Sequence, residues 1–239
     1  MAVTPAECQR MIAAARDAGR KLMIAYRLHY EPLNRKVMEL CAEGALGPIR
    51  TFSSSNCQDV QAPNIRLSRE TGGGPVGDVG IYSINAARYC TREEPVEVTA
   101  MAHQPADDPR FREVPQSVAF TLRFPSGALA HGDCSFGTTV SRRYRVHGPK
   151  GYIEMDPAFA YNGLRLVMKR GLEEKGDAQK AELPIPQVNH FAAEMDHFSD
   201  CVLNGNDPLT PGEEGLADMR VVAAIEEAVR TGQRVQVRR

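Results

Sequence analysis

Apolar positions recur at a helical spacing in five stretches of the chain. The first begins at T-P-A-E (residues 4–7), where Thr4 can cap, Pro5 suits the first helical position and Glu7 completes a capping box. The apolar spacing continues to about residue 18, and Gly19 ends this helix. The same spacing predicts further helices over residues 31–43, 78–89, 191–203 and 211–230.

Strand-like patterns dominate the middle of the chain. Short β runs extend from residue 96 to about 168, separated by turn signals such as P-S-G at 125–127 and G-P-K-G at 148–151. Residues 49–59 predict another strand, and K-L-M-I-A-Y at residues 21–26 predicts a short buried one. We therefore expect an α+β fold, an open and mainly antiparallel β-sheet with helices on one face. The first helix and the strand at 21–26 together have the pattern with which a Rossmann βα sheet ends.

Composition excludes several classes of protein. The chain has 239 residues, 42% of them apolar and 25% charged, with a net charge of −1, so nothing indicates a nucleic-acid surface. No run approaches the roughly 20 apolar residues that span a membrane, and residues 1–5 do not have the pattern of a signal peptide. The six cysteines are scattered without a C-x-x-C pair, which argues against zinc and suits a reducing compartment. We expect a cytoplasmic protein.

A glycine cluster at residues 72–77 satisfies G-x-G-x-x-G, but no buried strand precedes it, so we do not expect it to bind a dinucleotide phosphate. It opens a helix that carries Asp78 and Tyr82 one turn apart. A phenol can exchange a proton with a sugar hydroxyl while a neighbouring carboxylate orients the substrate. The other interpretation is that Asp78 caps the helix or forms a salt bridge and that Tyr82 is merely half-buried.

The helix predicted over residues 191–203 and the residue before it contain the only spacing that we considered for a metal site. His190 and Glu194 have the i, i+4 spacing of metal ligands, with His197 nearby. Zinc usually needs three protein ligands even in catalytic sites, so we expect no metal here.

Several longer motifs resemble the Gfo/Idh/MocA oxidoreductases, most closely those of the glucose-fructose oxidoreductase kind. The resemblance covers essentially the whole chain. The matching stretches are C-Q-R-M-I (8–12), K-L-M-I (21–24), Y-R-L-H-Y-E-P-L-N-R (26–35), G-G-G-P-V-G-D-V-G-I-Y (72–82), S-G-A-L-A-H-G (126–132), M-D-P-A (155–158) and P-G-E-E-G (211–215).

The resemblance implies a two-domain, NADP-dependent enzyme that moves a hydride between a sugar or polyol carbon and the nicotinamide. It assigns catalysis to Asp78 and Tyr82, and cofactor contacts to Arg27, Arg66 and Tyr161. It divides the chain into residues 1–26, a remnant of the dinucleotide-binding domain, and residues 27–239, a substrate-binding and dimerisation domain. It also implies a homo-oligomer, most simply a dimer through the sheet.

Two departures from the family pattern leave the function open. Ile65 stands where the family often has a tryptophan, and the E-K-P motif, whose lysine lies in the active site, is absent from the sequence, as are the first βαβ units. We therefore expect Tyr82 to be a poor base near neutral pH, and this chain alone to bind NADP(H) weakly and to be inactive. The alternatives are a truncated C-terminal part of a sugar oxidoreductase and a non-catalytic dimerising or sugar-binding module derived from that family.

Overall fold

The computed structural model describes residues 1–171 and 178–238, in which a nine-stranded sheet is covered by helices. The helices are α1 (Pro5–Asp17), α2 (Pro32–Ala42), α3 (Ile81–Thr91), α4 (His190–Asn204) and α5 (Gly212–Thr231). The strands are β1 (Thr51–Asp59), β2 (Glu97–His103), β3 (Ser117–Arg123), β4 (Leu129–Ser135), β5 (Gly137–Gly148), β6 (Gly151–Met155), β7 (Leu166–Arg170), β8 (Gln179–Glu182) and β9 (Val235–Gln236).

Helix α1 begins as the sequence predicts. The Thr4 hydroxyl accepts a hydrogen bond from the Glu7 backbone N–H (3.3 Å), and the Glu7 carboxylate accepts one from the Thr4 backbone N–H (3.0 Å). This reciprocal capping box satisfies two of the amides that a helix start leaves unpaired.

The strand predicted over residues 21–26 is wrong. This segment forms only an isolated bridge between Met23 and Pro211, supported by hydrogen bonds between Ile24 and Thr210. An apolar run becomes a strand only when another strand lies beside it, and none does in the part of the chain that the structure describes. The assignment of residues 1–26 to a Rossmann remnant therefore stays a prediction.

The sheet order is β8-β7-β6-β5-β1-β4-β3-β2-β9. Among the strands described, β1 and β4 pair in parallel and all other neighbours are antiparallel, so the mainly antiparallel sheet is confirmed. The parallel pair lies at the centre of the sheet, where α3 crosses it.

The two faces of the sheet differ in burial. On β1, Phe52, Ser54 and Asn56 point toward the helices and are buried, whereas the alternate residues of β4, such as Leu129 and His131, are exposed on the opposite face. Helices on a single face are thus confirmed for the described residues. The helix layer approaches closely at Gly80, where an added Cβ would come within 3.1 Å of the Cys134 sulfur on β4.

Candidate active site

The segment that carries Asp78 and Tyr82 begins with a π-helical turn, Val76–Gly80, and continues into α3. The sequence predicts an ordinary α-helix from residue 78, and the wider first turn is the difference. The Asn56 amide of β1 donates to the Val79 carbonyl (2.9 Å), which fixes this turn against the sheet. Single π turns inside helices are frequent at functional sites.

The glycine cluster supports this helix start. The amides of Gly72, Gly73 and Gly74 donate to the carbonyls of Arg69, Ser68 and Arg66, so they are used inside the loop. A Cβ on Gly73 would lie 2.4 Å from the Arg66 carbonyl oxygen, so only glycine permits this approach. The cluster thereby places the segment that carries Arg66 beside the first turn of the Asp78 helix.

Arg66 and Asp78 form an ion pair at the surface. The Arg66 Nε donates to the Asp78 Oδ2 at 2.7 Å, and the Gln58 amide of β1 approaches the same oxygen at 3.4 Å. The hydrogen bond and charge of Asp78 raise the pKa of Arg66, and the hydroxyls of Tyr161 and Tyr82 add to this effect. Arg66 therefore lies against the acid of the Asp78 helix.

Arg27 lies on the inner side of the same cluster and is buried. Its Nη2 and Nη1 donate to the carbonyl oxygens of Phe159 (2.6 Å) and Ala160 (3.2 Å). Its guanidinium carbon is 4.7 Å from the ring centre of Tyr161 and 5.4 Å from that of Tyr82. The structure thus brings together all five residues that the sequence singles out, while their roles stay predictions.

A buried polar network connects α3 to His29 and to α5. The Asn85 amide nitrogen donates to Asp218 of α5 (2.9 Å), so its oxygen is the acceptor that faces the His29 Nε2 (2.8 Å). The His29 Nε2 therefore donates to this oxygen, and burial lowers the pKa of His29. Arg88 donates to Asp218 (2.6 Å), which ties α3 to α5.

Sequence reasoning missed two side chains that border the cluster, Gln58 and Phe191. The Phe191 ring lies 5.5 Å from the Tyr161 ring and 5.8 Å from the Arg27 guanidinium carbon. In the sequence Phe191 is only one member of a helical apolar stripe, and its neighbours here come from residues far away in the chain.

His190 and Glu194, which have the spacing of metal ligands, are both buried. Burial lowers the pKa of His190 and raises that of Glu194. Within residues 1–171 and 178–238, no three His, Cys, Asp or Glu side chains gather as a set of metal ligands.

Comparison with known proteins identifies the class. The sequence profile of the GFO/IDH/MocA C-terminal domain matches residues 34–154, just over half of the chain. The chain therefore belongs to the GFO/IDH/MocA family.

Individual relatives extend the likeness to nearly the whole chain. It is 29% identical to the D-xylose 1-dehydrogenase [NADP(+)] of Haloarcula marismortui, over 99% of this chain and 66% of that protein. It is 30% identical to D-xylose 1-dehydrogenase (NADP(+)) 2 of Haloferax volcanii, over 92% of this chain and 66% of that one. The crystal structure of aldose-aldose oxidoreductase from Caulobacter crescentus complexed with glycerol superposes with a TM-score of 0.92 at 43% identity, covering 99% of this chain and 70% of that one.

The chain thus spans 66% of the length of these two curated relatives. None of the helices in the described ranges is both long and apolar enough to cross a membrane.

Proposed function

We propose that this chain is the substrate-binding and proton-transferring part of an NADP-dependent sugar oxidoreductase. The observation that carries the proposal is the convergence of two contacts at one partly exposed cluster. Arg66 pairs with Asp78, and the Arg27 guanidinium packs against the rings of both Tyr82 and Tyr161. The relatives whose names specify D-xylose and NADP(+) support the choice of substrate class and cofactor.

The described residues suit the nicotinamide end of the cofactor better than its pyrophosphate. Arg66 and Tyr161 offer partly exposed polar side chains beside the acid and the phenol, and they would hold the nicotinamide and its ribose. Pyrophosphate is normally held by free backbone amides at a helix start, whereas the amides of residues 72–74 are already donated within their loop.

The chemistry that NADP supplies when bound is the uptake of a hydride from a sugar carbon, or its return. This chain's residues handle the proton: the Tyr82 oxygen, as a phenolate, takes the proton of the reacting sugar hydroxyl during oxidation, and the resulting phenol gives it back during reduction. Asp78, held by Arg66 and Gln58, accepts a hydrogen bond from a sugar hydroxyl and orients the ring. Phe159, packed 5.6 Å from the Tyr82 ring, limits the positions that the phenol can adopt.

We also propose the domain division between residues 1–26 and 27–239. Helix α1 buries only Cys8 fully, and residues 21–26 keep a strand-like sequence with a single bridge, which suits a place in a βα sheet. The uncovered face of residues 27–239 supports a homodimer, since it exposes apolar side chains, with Met101 81% and Leu129 43% exposed.

The test is Tyr82→Phe in a chimaera that joins a family dinucleotide-binding domain to residue 1. We expect kcat for D-xylose or D-glucose oxidation to fall by about 10²- to 10⁴-fold, with NADPH affinity unchanged, because only the hydroxyl is lost. The control is Tyr152→Phe, on the uncovered face of the sheet. Turnover of the Tyr82→Phe chimaera at the parent rate would remove Tyr82 from the reaction, and a folded parent without turnover would favour the non-catalytic module.

A further inference from the structure

An exposed aromatic surface adjoins the Asp78 and Tyr82 pair. Phe191, at the first turn of α4, is 43% exposed, and Tyr161 is 61% exposed. Their rings contact each other with centres 5.5 Å apart and planes tilted by 60°. Packing inside this chain therefore uses only part of each ring, and apolar carbon is left facing the surface next to the acid and the phenol.

Arg27 fixes the position of Phe191 relative to the proposed catalytic phenol. The guanidinium carbon lies 5.4 Å from the Tyr82 ring centre and 5.8 Å from the Phe191 ring centre. The two rings cannot be further apart than the sum of these distances. A sugar that reaches from Tyr82 toward α4 would therefore meet the Phe191 ring on the other side of this guanidinium.

The groups that contact Phe191 are themselves anchored. Arg27 is anchored by the carbonyls of Phe159 and Ala160, and the buried His190 ring meets the Phe191 ring edge-on at 4.9 Å. An exposed ring held on several sides loses little conformational entropy when a ligand covers it.

We propose that Phe191 is a specificity-determining residue of the substrate site, whose ring takes the apolar C–H face of an aldose ring. Aldoses present hydroxyls at their rim and C–H groups on their faces, and the face of an aromatic ring is the negative end of its quadrupole. Asp78 and Tyr82 supply the polar contacts and leave the apolar face of the sugar without a partner, which Phe191 provides. This inference rests on the proposed function, since it assumes that a sugar binds at Asp78 and Tyr82.

The test measures sugar binding by the 239-residue chain itself, with D-xylose and D-glucose as probes in saturation-transfer NMR titrations. Phe191→Ala should weaken binding about tenfold, equivalent to about 1.4 kcal/mol at 25 °C. Phe191→Leu should weaken it similarly while keeping apolar volume, and Phe191→Tyr should retain it. The matched control is Met195→Ala, one turn further along α4 and 63% exposed, which should bind like the parent.

Thermal unfolding of each variant checks that it is folded. If the alanine variant proves unstable, the sugar affinity of the leucine variant is the deciding measurement. Parent-like sugar affinity in the leucine variant would overturn the role of Phe191 and leave the proposed function standing. A change in NADPH affinity without a change in sugar affinity would also overturn it, by assigning the ring to the nicotinamide. A folded parent chain that binds neither sugar would overturn both proposals.

Discussion

Replacing Arg88 with methionine should destabilise the fold by about 3–5 kcal/mol, because it leaves a buried carboxylate without its cation. Arg88 donates to Asp218 (2.6 Å) and to both oxygens of Glu94 (2.7 and 2.6 Å). Glu94 is 55% exposed and can return to water at little cost, whereas Asp218 is fully buried. Burial raises the pKa of Asp218, and the neighbouring charge of Arg88 opposes this rise. The variant should therefore lose most stability at pH values at which Asp218 is ionised.

The assay is urea unfolding followed by far-ultraviolet circular dichroism, with Arg165→Met as the control. Arg165 pairs with Glu182 at 2.8 Å on the surface, where both side chains are more than half exposed, so its loss should cost less than about 1 kcal/mol. The double variant Arg88→Met/Asp218→Asn no longer contains the buried charge. Its loss of unfolding free energy should therefore be about 2 kcal/mol smaller than the sum of the two single-variant losses. A loss below about 1 kcal/mol for Arg88→Met, or strict additivity, would refute the reasoning.

Three further predictions concern pH, assembly and the nucleotide. Because burial lowers the pKa of His29 in the folded state, the unfolded chain binds more protons at acid pH. The free energy of unfolding should therefore be fully retained above about pH 6.5 and fall as pH drops below it. His29→Gln should flatten this dependence in urea titrations, and an unchanged slope would contradict the assignment. Leu129→Glu, on the uncovered sheet face, should shift a dimer to a monomer in sedimentation, and a monomeric parent at micromolar concentration would contradict the dimer. Calorimetric titration of the 239-residue chain with NADPH should show only weak binding, and a dissociation constant of about 1 μM or tighter would reveal a further nucleotide site.

Segments with local signals were predictable from the sequence. The capping residues Thr4 and Glu7 lie three positions apart and fix the start of α1 without distant contacts. Strand β3 alternates buried and more exposed residues, with Val118, Phe120 and Leu122 buried, because one face of the sheet is covered by helices. By contrast, Q-K-A-E in β8 and V-Q in β9 have no such pattern, and they are strands only because β7 and β2 pair with them.

The wrong strand at residues 21–26 has the same physical origin. Its apolar residues satisfy the strand pattern, but strand formation depends on a neighbouring strand, which a local pattern does not contain. Spacing alone brings Asp78 and Tyr82 together, because one turn of helix separates them. Phe191 and Gln58 reach the cluster only through the fold, and no local signal marks them as its neighbours.

Arg27 shows how the structure changes the meaning of a predicted residue. An arginine expected to contact the cofactor suggests an exposed side chain, yet Arg27 is buried and its Nη atoms are committed to carbonyls 132 and 133 positions along the chain. Its Nε is the one nitrogen of the guanidinium without a protein partner in the described structure. Each Nη carries two N–H groups, so a direct contact with a nucleotide would have to use the donors that these two carbonyls leave free. The guanidinium instead packs against Tyr82, Tyr161 and Phe191, so the physical effect of Arg27 on the proposed reaction is to hold these rings in place.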